Sequence, residues 1–226
     1  MASGKILACR ACGNRNLAPV LDLGDHALSG IFPRPGASVP RGPLKLVHCI
    51  DARGSGNCGL LQLETTCPLA EMYGDNYGYR SGLNPSMLEH LGSLKDWVSA
   101  HLDIKDLRSR GLAVLDIGSN DGSFLGLFEP GAGRLIGVDP TARKFGRFYR
   151  KDIERVADFF PSRQLASLLG STRAALVSSI AVFYDLEDPL GFAREVRAVL
   201  DRRGLWLFEQ SYLPSMLENT SYDTVC

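Results

Sequence analysis

Residues 114–122 (VLDIGSNDG) constrain the fold of this chain more than any other stretch. An apolar run closes on an acid, Asp116, and two glycines, Gly118 and Gly122, flank a turn that opens a short apolar segment at 123–128. Such a strand–turn–helix corner binds ligands in parallel α/β sheets, because glycine admits close backbone approach and a helix start offers free N–H groups. The same alternation continues downstream. Residues 112–117, 134–138, 153–157, 174–179 and 204–208 read as strands. Residues 123–128, 141–149, 161–169, 189–200 and 213–219 read as helices between and after them. Strands separated by helices of about ten residues predict βαβ units and a mostly parallel sheet. Upstream, Asn84 and Pro85 form a helix start, and Met87, Leu88, Leu91, Leu94 and Val98 extend it to residue 100.

The loop spacing selects among ligands. D-x-G-x-x-x-G lacks the paired glycines of a dinucleotide fingerprint. It resembles the first motif of class I methyltransferases. That resemblance implies that Asp116, Gly118, Ser119, Asn120, Asp121 and Gly122 surround the amino-acid end of S-adenosylmethionine. Asp139, ending the second strand, stands about 20 residues after the loop, where an acid accepts hydrogen bonds from ribose hydroxyls in many nucleotide folds. Asp158 and Phe159, after the third strand, are expected at the adenine edge and face; a loop cap and a core aromatic are the other reading.

The first 70 residues differ in kind. They hold five of six cysteines and six of twelve prolines, with little apolar material for a core, so the segment needs a staple. Short strands are expected at 44–49 and 60–64. Cys9 and Cys12 form a C-x-x-C knuckle followed by Gly13; Cys49 and Cys58 make a stretched second pair around the Gly-rich loop 54–59. Four thiolates from two small hairpins suit a closed tetrahedral zinc site, structural because no position is left for substrate. His48 is the alternative ligand, and Cys67 reads as a free thiol. The division expected is a zinc-binding module at 1–70, a Tyr-rich segment and linker helix at 71–110, and the α/β core at 111–226.

Charge excludes little beyond nucleic acid. Lys plus Arg equals Asp plus Glu at 25 each, so the basic footprint of phosphate binding is missing. The one local cluster, 143–151 (RKFGRFYRK), reads as a solvated helix face. No apolar run approaches the roughly 18 residues of a membrane span, and the first residues have no apolar signal core. A cytoplasmic address is expected, where reduced cysteines favour metal over disulfides.

The chain as a whole resembles the sugar C-methyltransferases that act on nucleotide-linked deoxyhexoses in antibiotic biosynthesis. The resemblance is carried by Cys9 and Cys12, 58–63 (CGLLQL), 75–82 (DNYGYRSG), 116–122, 183–189 (FYDLEDP) and 208–214 (FEQSYLP). It implies a class I, Rossmann-like methyltransferase core behind a zinc module, with S-adenosylmethionine and structural zinc as cofactors. It implies too that a 4-keto sugar loses a proton beside its ketone and that the enolate carbon takes the methyl group. Tyr79, with Tyr77 as the alternative, matches the position where the zinc module lends a tyrosine to catalysis, and Tyr222 matches a second tyrosine. In the family, His-Glu-His with the general base follows the residues matching 222–226, and two more strands and a second domain follow that. The expectation is therefore that donor binding survives in these 226 residues while proton abstraction does not. A second copy of the chain, or the family's C-terminal domain, is expected to cover the apolar edge at 205–208. Two other readings stand: methylation of another natural-product acceptor, and a non-catalytic zinc-containing binding module with a vestigial cofactor pocket.

Overall fold

The computed structural model describes residues 4–27, 33–51, 56–74, 77–103 and 107–221. They fall into two compact units: one within Met1–Gly78, Tyr184–Gly191 and Ser211–Cys226, the other comprising Tyr79–Phe183 and Phe192–Gln210.

The first unit is built on short antiparallel pairings. β1 (Gly4–Lys5) pairs with β5 (Thr65–Thr66), while β2 (Leu17–Ala27), β3 (Arg41–Cys49) and β4 (Leu61–Leu63) form a three-stranded sheet in that order. Helix α1 (Leu69–Met72) follows. The expected strands at 44–49 and 60–64 are present as β3 and β4. β2 was not anticipated. Its alternation is broken by Pro19 and Gly24, and register shifts fall between Pro19 and Leu21 and between Asp22 and Asp25. Few apolar side chains are buried here: Leu46, Val47, Cys9 and Cys49 make up most of the core.

The second unit opens with α2 (Pro85–His101), capped as its sequence predicts: the Asn84 side chain accepts from the Ser86 N–H at 3.1 Å. β6 (Ala113–Ile117), β7 (Arg134–Val138), α3 (Ala142–Phe145), β8 (Ile153–Val156), α4 (Arg163–Leu169), β9 (Ala174–Ile180), α5 (Pro189–Val199) and β10 (Leu200–Glu209) follow. Helix α6 (Leu213–Glu218) belongs to the first unit. The five strands form one parallel sheet in the order β10-β9-β6-β7-β8. That is a doubly wound sheet, and the strand order reverses between β6 and β9, so ligands are expected at the carboxyl end of β6. All five residues of β6 are buried, as a strand covered on both faces requires.

The elements of the second unit depart from expectation in three places. The expected helix at 123–128 is a 3-10 turn, Leu125–Leu127. The expected helix at 141–149 splits at Gly146 into α3 and a second 3-10 turn, where the Arg155 guanidinium fills the space that a Cβ would take, 2.0 Å away. β10 starts at Leu200, not 204, because a bulge between Leu200 and Leu205 carries the strand on; a Cβ on Gly204 would lie 2.9 Å from the Ala174 carbonyl. β10 is an edge strand among the described residues, and its Phe208 is 49% exposed. No helix among the described residues is long and apolar enough to cross a membrane.

Candidate functional site

The turn after β6 is held from several sides. Gly118 and Gly122 take left-handed backbone (φ +74° and +78°), and Asn120 does so too (φ +50°), as asparagine tolerates better than most residues. The Gly118 N–H donates to the Val138 carbonyl at 2.8 Å, tying the turn to β7. Tyr149 lies beneath the loop. Its hydroxyl donates to the Asn120 carbonyl at 2.9 Å and lies 2.7 Å from Ser119 Oγ, and its ring fills the space that a Cβ on Gly122 would need.

Two buried acids stand at the ends of adjacent strands. Asp116, on β6, accepts a hydrogen bond from Ser178 Oγ at 2.6 Å, its in-register neighbour on β9. Burial pushes its carboxyl up to about 7; the Ser178 hydroxyl works against that shift and the nearby Asp139 charge adds to it. Asp139 accepts from the Asn120 N–H at 2.8 Å and from the Thr141 N–H and hydroxyl, both at 2.6 Å. Burial raises its pKa as well, against those three donors. A carboxylate offers about four acceptor positions, so Asp139 retains room for one further donor. Such an arrangement fits a cationic, hydroxyl-bearing ligand: left-handed glycines beside two desolvated acids, one of which has a single neutral hydroxyl partner.

Ser119 and Asp121 are buried in the loop, and Asp121 Oδ1 accepts from Ser123 Oγ at 2.6 Å. Asp158 is exposed after β8 and accepts from the Phe159 N–H at 2.8 Å, an arrangement that caps the loop. Tyr79 belongs to the second unit, 39% exposed, with its carbonyl accepting from Asn120 Nδ2 at 3.1 Å. Tyr77 belongs to the first unit and packs on Tyr73 at 5.2 Å between ring centroids. Tyr222 lies outside the described residues. Sequence reasoning passed over Tyr149, Thr141 and Ser178, whose roles depend on which strands become neighbours. It also passed over Tyr73, whose hydroxyl donates to Asp185; burial lifts that carboxyl to about 6 against the Tyr73 hydrogen bond.

In the first unit Cys9, Cys12, Cys49 and Cys58 bring their sulfurs within 4.8 Å of one another. Cys9 and Cys58 are 3.5 Å apart, and Cys12 and Cys49 3.6 Å. Disulfide sulfurs sit about 2 Å apart, whereas tetrahedral zinc–thiolate bonds of about 2.3 Å place sulfurs about 3.8 Å apart. The donor set therefore fits zinc and closes its coordination. His48 lies outside the cluster, and Cys67 is free and half-buried, its thiol raised by burial and by Glu71. Burial opposes a thiolate at Cys9, but the N–H groups of Cys12 and Ala11 and the Gln62 amide overcome it and bring the thiol down to about 6. Gln62 is the partner that sequence reasoning missed. Its Nε2 donates to Cys9 Sγ at 3.2 Å while its Oε1 accepts from the Arg10 N–H at 3.1 Å and from Arg10 Nη1 at 3.3 Å. Groups that orient metal ligands typically contribute about 10–100-fold to affinity. Gln62→Ala is accordingly expected to weaken zinc binding by about that factor, measured by chelator competition; unchanged affinity would remove the amide from the site.

Residues 9–73 match the family described as "Putative zinc binding domain". Over 225 residues the chain is 27% identical to the C-methyltransferase NovU of Streptomyces niveus, a match that takes in 96% of this chain and 50% of that protein. The chain thus spans about half the length of the curated relative it matches. Among solved structures it is similar to the plantazolicin methyltransferase BpumL in complex with a pentazolic desmethylPZN analog and SAH, with a TM-score of 0.41 and 12% identity over 62% of this chain and 59% of that one. The complex of the same enzyme with the monoazolic analog gives a TM-score of 0.42 and 14% identity over 61% and 58%. The resemblance to C-methyltransferases with an N-terminal zinc module, read from the motifs, is borne out by the first two matches.

Proposed function

We propose that the second unit binds S-adenosylmethionine and that the protein to which these residues belong transfers its methyl group to carbon, with a nucleotide-linked keto-deoxysugar as acceptor. The observation that carries the donor reading is the pair of buried acids, Asp116 and Asp139, at the ends of β6 and β7 around the left-handed loop from Gly118 to Gly122. The relation to NovU supports carbon as the methylated atom. When bound, S-adenosylmethionine supplies an electrophilic methyl group on a sulfonium. Asp116 would face the cationic amino-acid end and Asp139 a ribose hydroxyl, while Gly118 and Gly122 let the backbone close on the ligand. Tyr79, on the segment hydrogen-bonded to the loop, is the side chain we assign to the acceptor's enolate oxygen. The zinc module is assigned a structural role.

Calorimetric titration with S-adenosylhomocysteine tests the donor site, and the absence of binding would sink it. Its pH dependence follows from Asp116. This carboxyl binds its proton more tightly in the folded chain (about 7) than its ordinary value of 3.8. The stability it contributes is therefore full below pH 3.8 and lost as pH rises through about 7. The ionised carboxylate that forms is the species that attracts an ammonium group. Affinity is expected to rise by roughly tenfold per pH unit below 7 and to level off above it, with proton release on binding near pH 6. A flat profile between pH 5.5 and 8 would exclude Asp116 as the ammonium's partner.

A further inference from the structure

Asn120 holds two parts of the second unit together. Its N–H donates to Asp139 and its carbonyl accepts from Tyr149, both within the donor loop's own surroundings. Its side chain serves a different segment: Oδ1 accepts from the Ser81 N–H at 3.0 Å, and Nδ2 donates to the Tyr79 carbonyl at 3.1 Å. The residue is 7% exposed and keeps a left-handed backbone that few side chains tolerate. Asp121 reinforces the contact. Its Oδ2 accepts from the Gly82 N–H at 3.0 Å and lies 3.8 Å from Arg80 Nε, while the Arg80 guanidinium sits 3.7 Å from the centroid of the Phe148 ring. A Cβ on Gly82 would come within 2.7 Å of that same Asp121 oxygen and 2.8 Å of Ser123 Oγ, so only glycine permits so close an approach.

An amide that made its main contacts with the donor would leave the Tyr79 carbonyl and the Ser81 N–H without these partners, a costly outcome for half-buried backbone. We propose that Asn120 is a positioning residue which couples the donor loop to the segment Tyr79–Gly82, so that filling the donor site fixes the tyrosine that meets the acceptor. The inference rests on the donor reading above. It assigns the Asn120 side chain to the tyrosine segment, leaving the loop backbone and the two acids for the donor.

Amide hydrogen exchange on the full chain, with and without S-adenosylhomocysteine, tests the coupling in the wild type and in Asn120→Gly. Glycine keeps the left-handed backbone and both main-chain bonds and loses only the side-chain pair. In the wild type the ligand is expected to slow exchange across 79–83 as well as 118–123, by roughly fivefold or more. In Asn120→Gly at saturating ligand, 118–123 is expected to remain protected, while 79–83 exchanges roughly tenfold faster and ignores the ligand. Asn120→Asp, which keeps the acceptor for the Ser81 N–H, is expected to recover part of that protection. Protection confined to 118–123 in the wild type would overturn the coupling, as would ligand protection of 79–83 in Asn120→Gly equal to that in the wild type. Failure of the donor reading looks different: the wild type then shows neither heat of binding nor ligand protection anywhere.

Discussion

Cys49→Ser is expected to abolish zinc binding and unfold the first unit while β6, β7 and β9 keep their protection from exchange. Cys49 has no solvent exposure, and its sulfur lies 3.6 Å from that of Cys12 and the same distance from Asn14 Nδ2. The unit buries few apolar side chains, and its strands β1, β4 and β5 span only two or three residues. A structural zinc site contributes on the order of 10 kcal/mol to such a module, more than a core this small supplies. Elemental analysis should find about one zinc per chain in the wild type and none in the variant. A chelator should reproduce the effect on the wild type, and Cys67→Ser, outside the cluster, should change little. A Cys49→Ser chain that retained protection throughout residues 4–72 would show that the metal is dispensable for folding.

Gly122→Ala is expected to weaken donor binding and to lower stability by roughly 2–4 kcal/mol. Two penalties combine. At φ +78° an L residue is strained, and the added Cβ would meet the Tyr149 ring at 2.8–3.0 Å. That ring is in no position to retreat, because its hydroxyl is bonded to Asn120 and lies against Ser119 and its side chain is buried. The strain therefore displaces the loop itself, and affinity for S-adenosylhomocysteine should fall by roughly 30-fold or more, about 2 kcal/mol. Gly126→Ala is the control: a Cβ there meets nothing within 4 Å, so neither the melting temperature nor the affinity should move appreciably. Equal behaviour of the two variants would refute the account of the loop.

Much of this was legible in the residue order because it depends on short-range pattern. The parallel sheet follows from apolar runs separated by amphipathic segments. The start of α2 follows from Asn84 and Pro85, and the turn after β6 from the placement of Gly118 and Gly122. The four cysteines follow from thiol chemistry and spacing, and they converge as expected. What escaped was long β2, whose alternation Pro19 and Gly24 interrupt, and the brevity of the helices after β6 and β7. The helix expected after β7 breaks at Gly146, against which the Arg155 guanidinium packs.

The chain's residue order by itself determined the strands of the parallel sheet, the glycine turn after β6 and the thiol donor set, since each is encoded within a few residues by periodicity, glycine freedom or side-chain chemistry. Only the tertiary structure decided what those residues face. It set Ser178 beside Asp116 by pairing β9 with β6, brought Gln62 to Cys9 across 53 positions, and turned the Asn120 side chain toward Tyr79 and Ser81 across about 40. Contacts between residues that far apart depend on strand order and packing of the whole sheet, which no local pattern records.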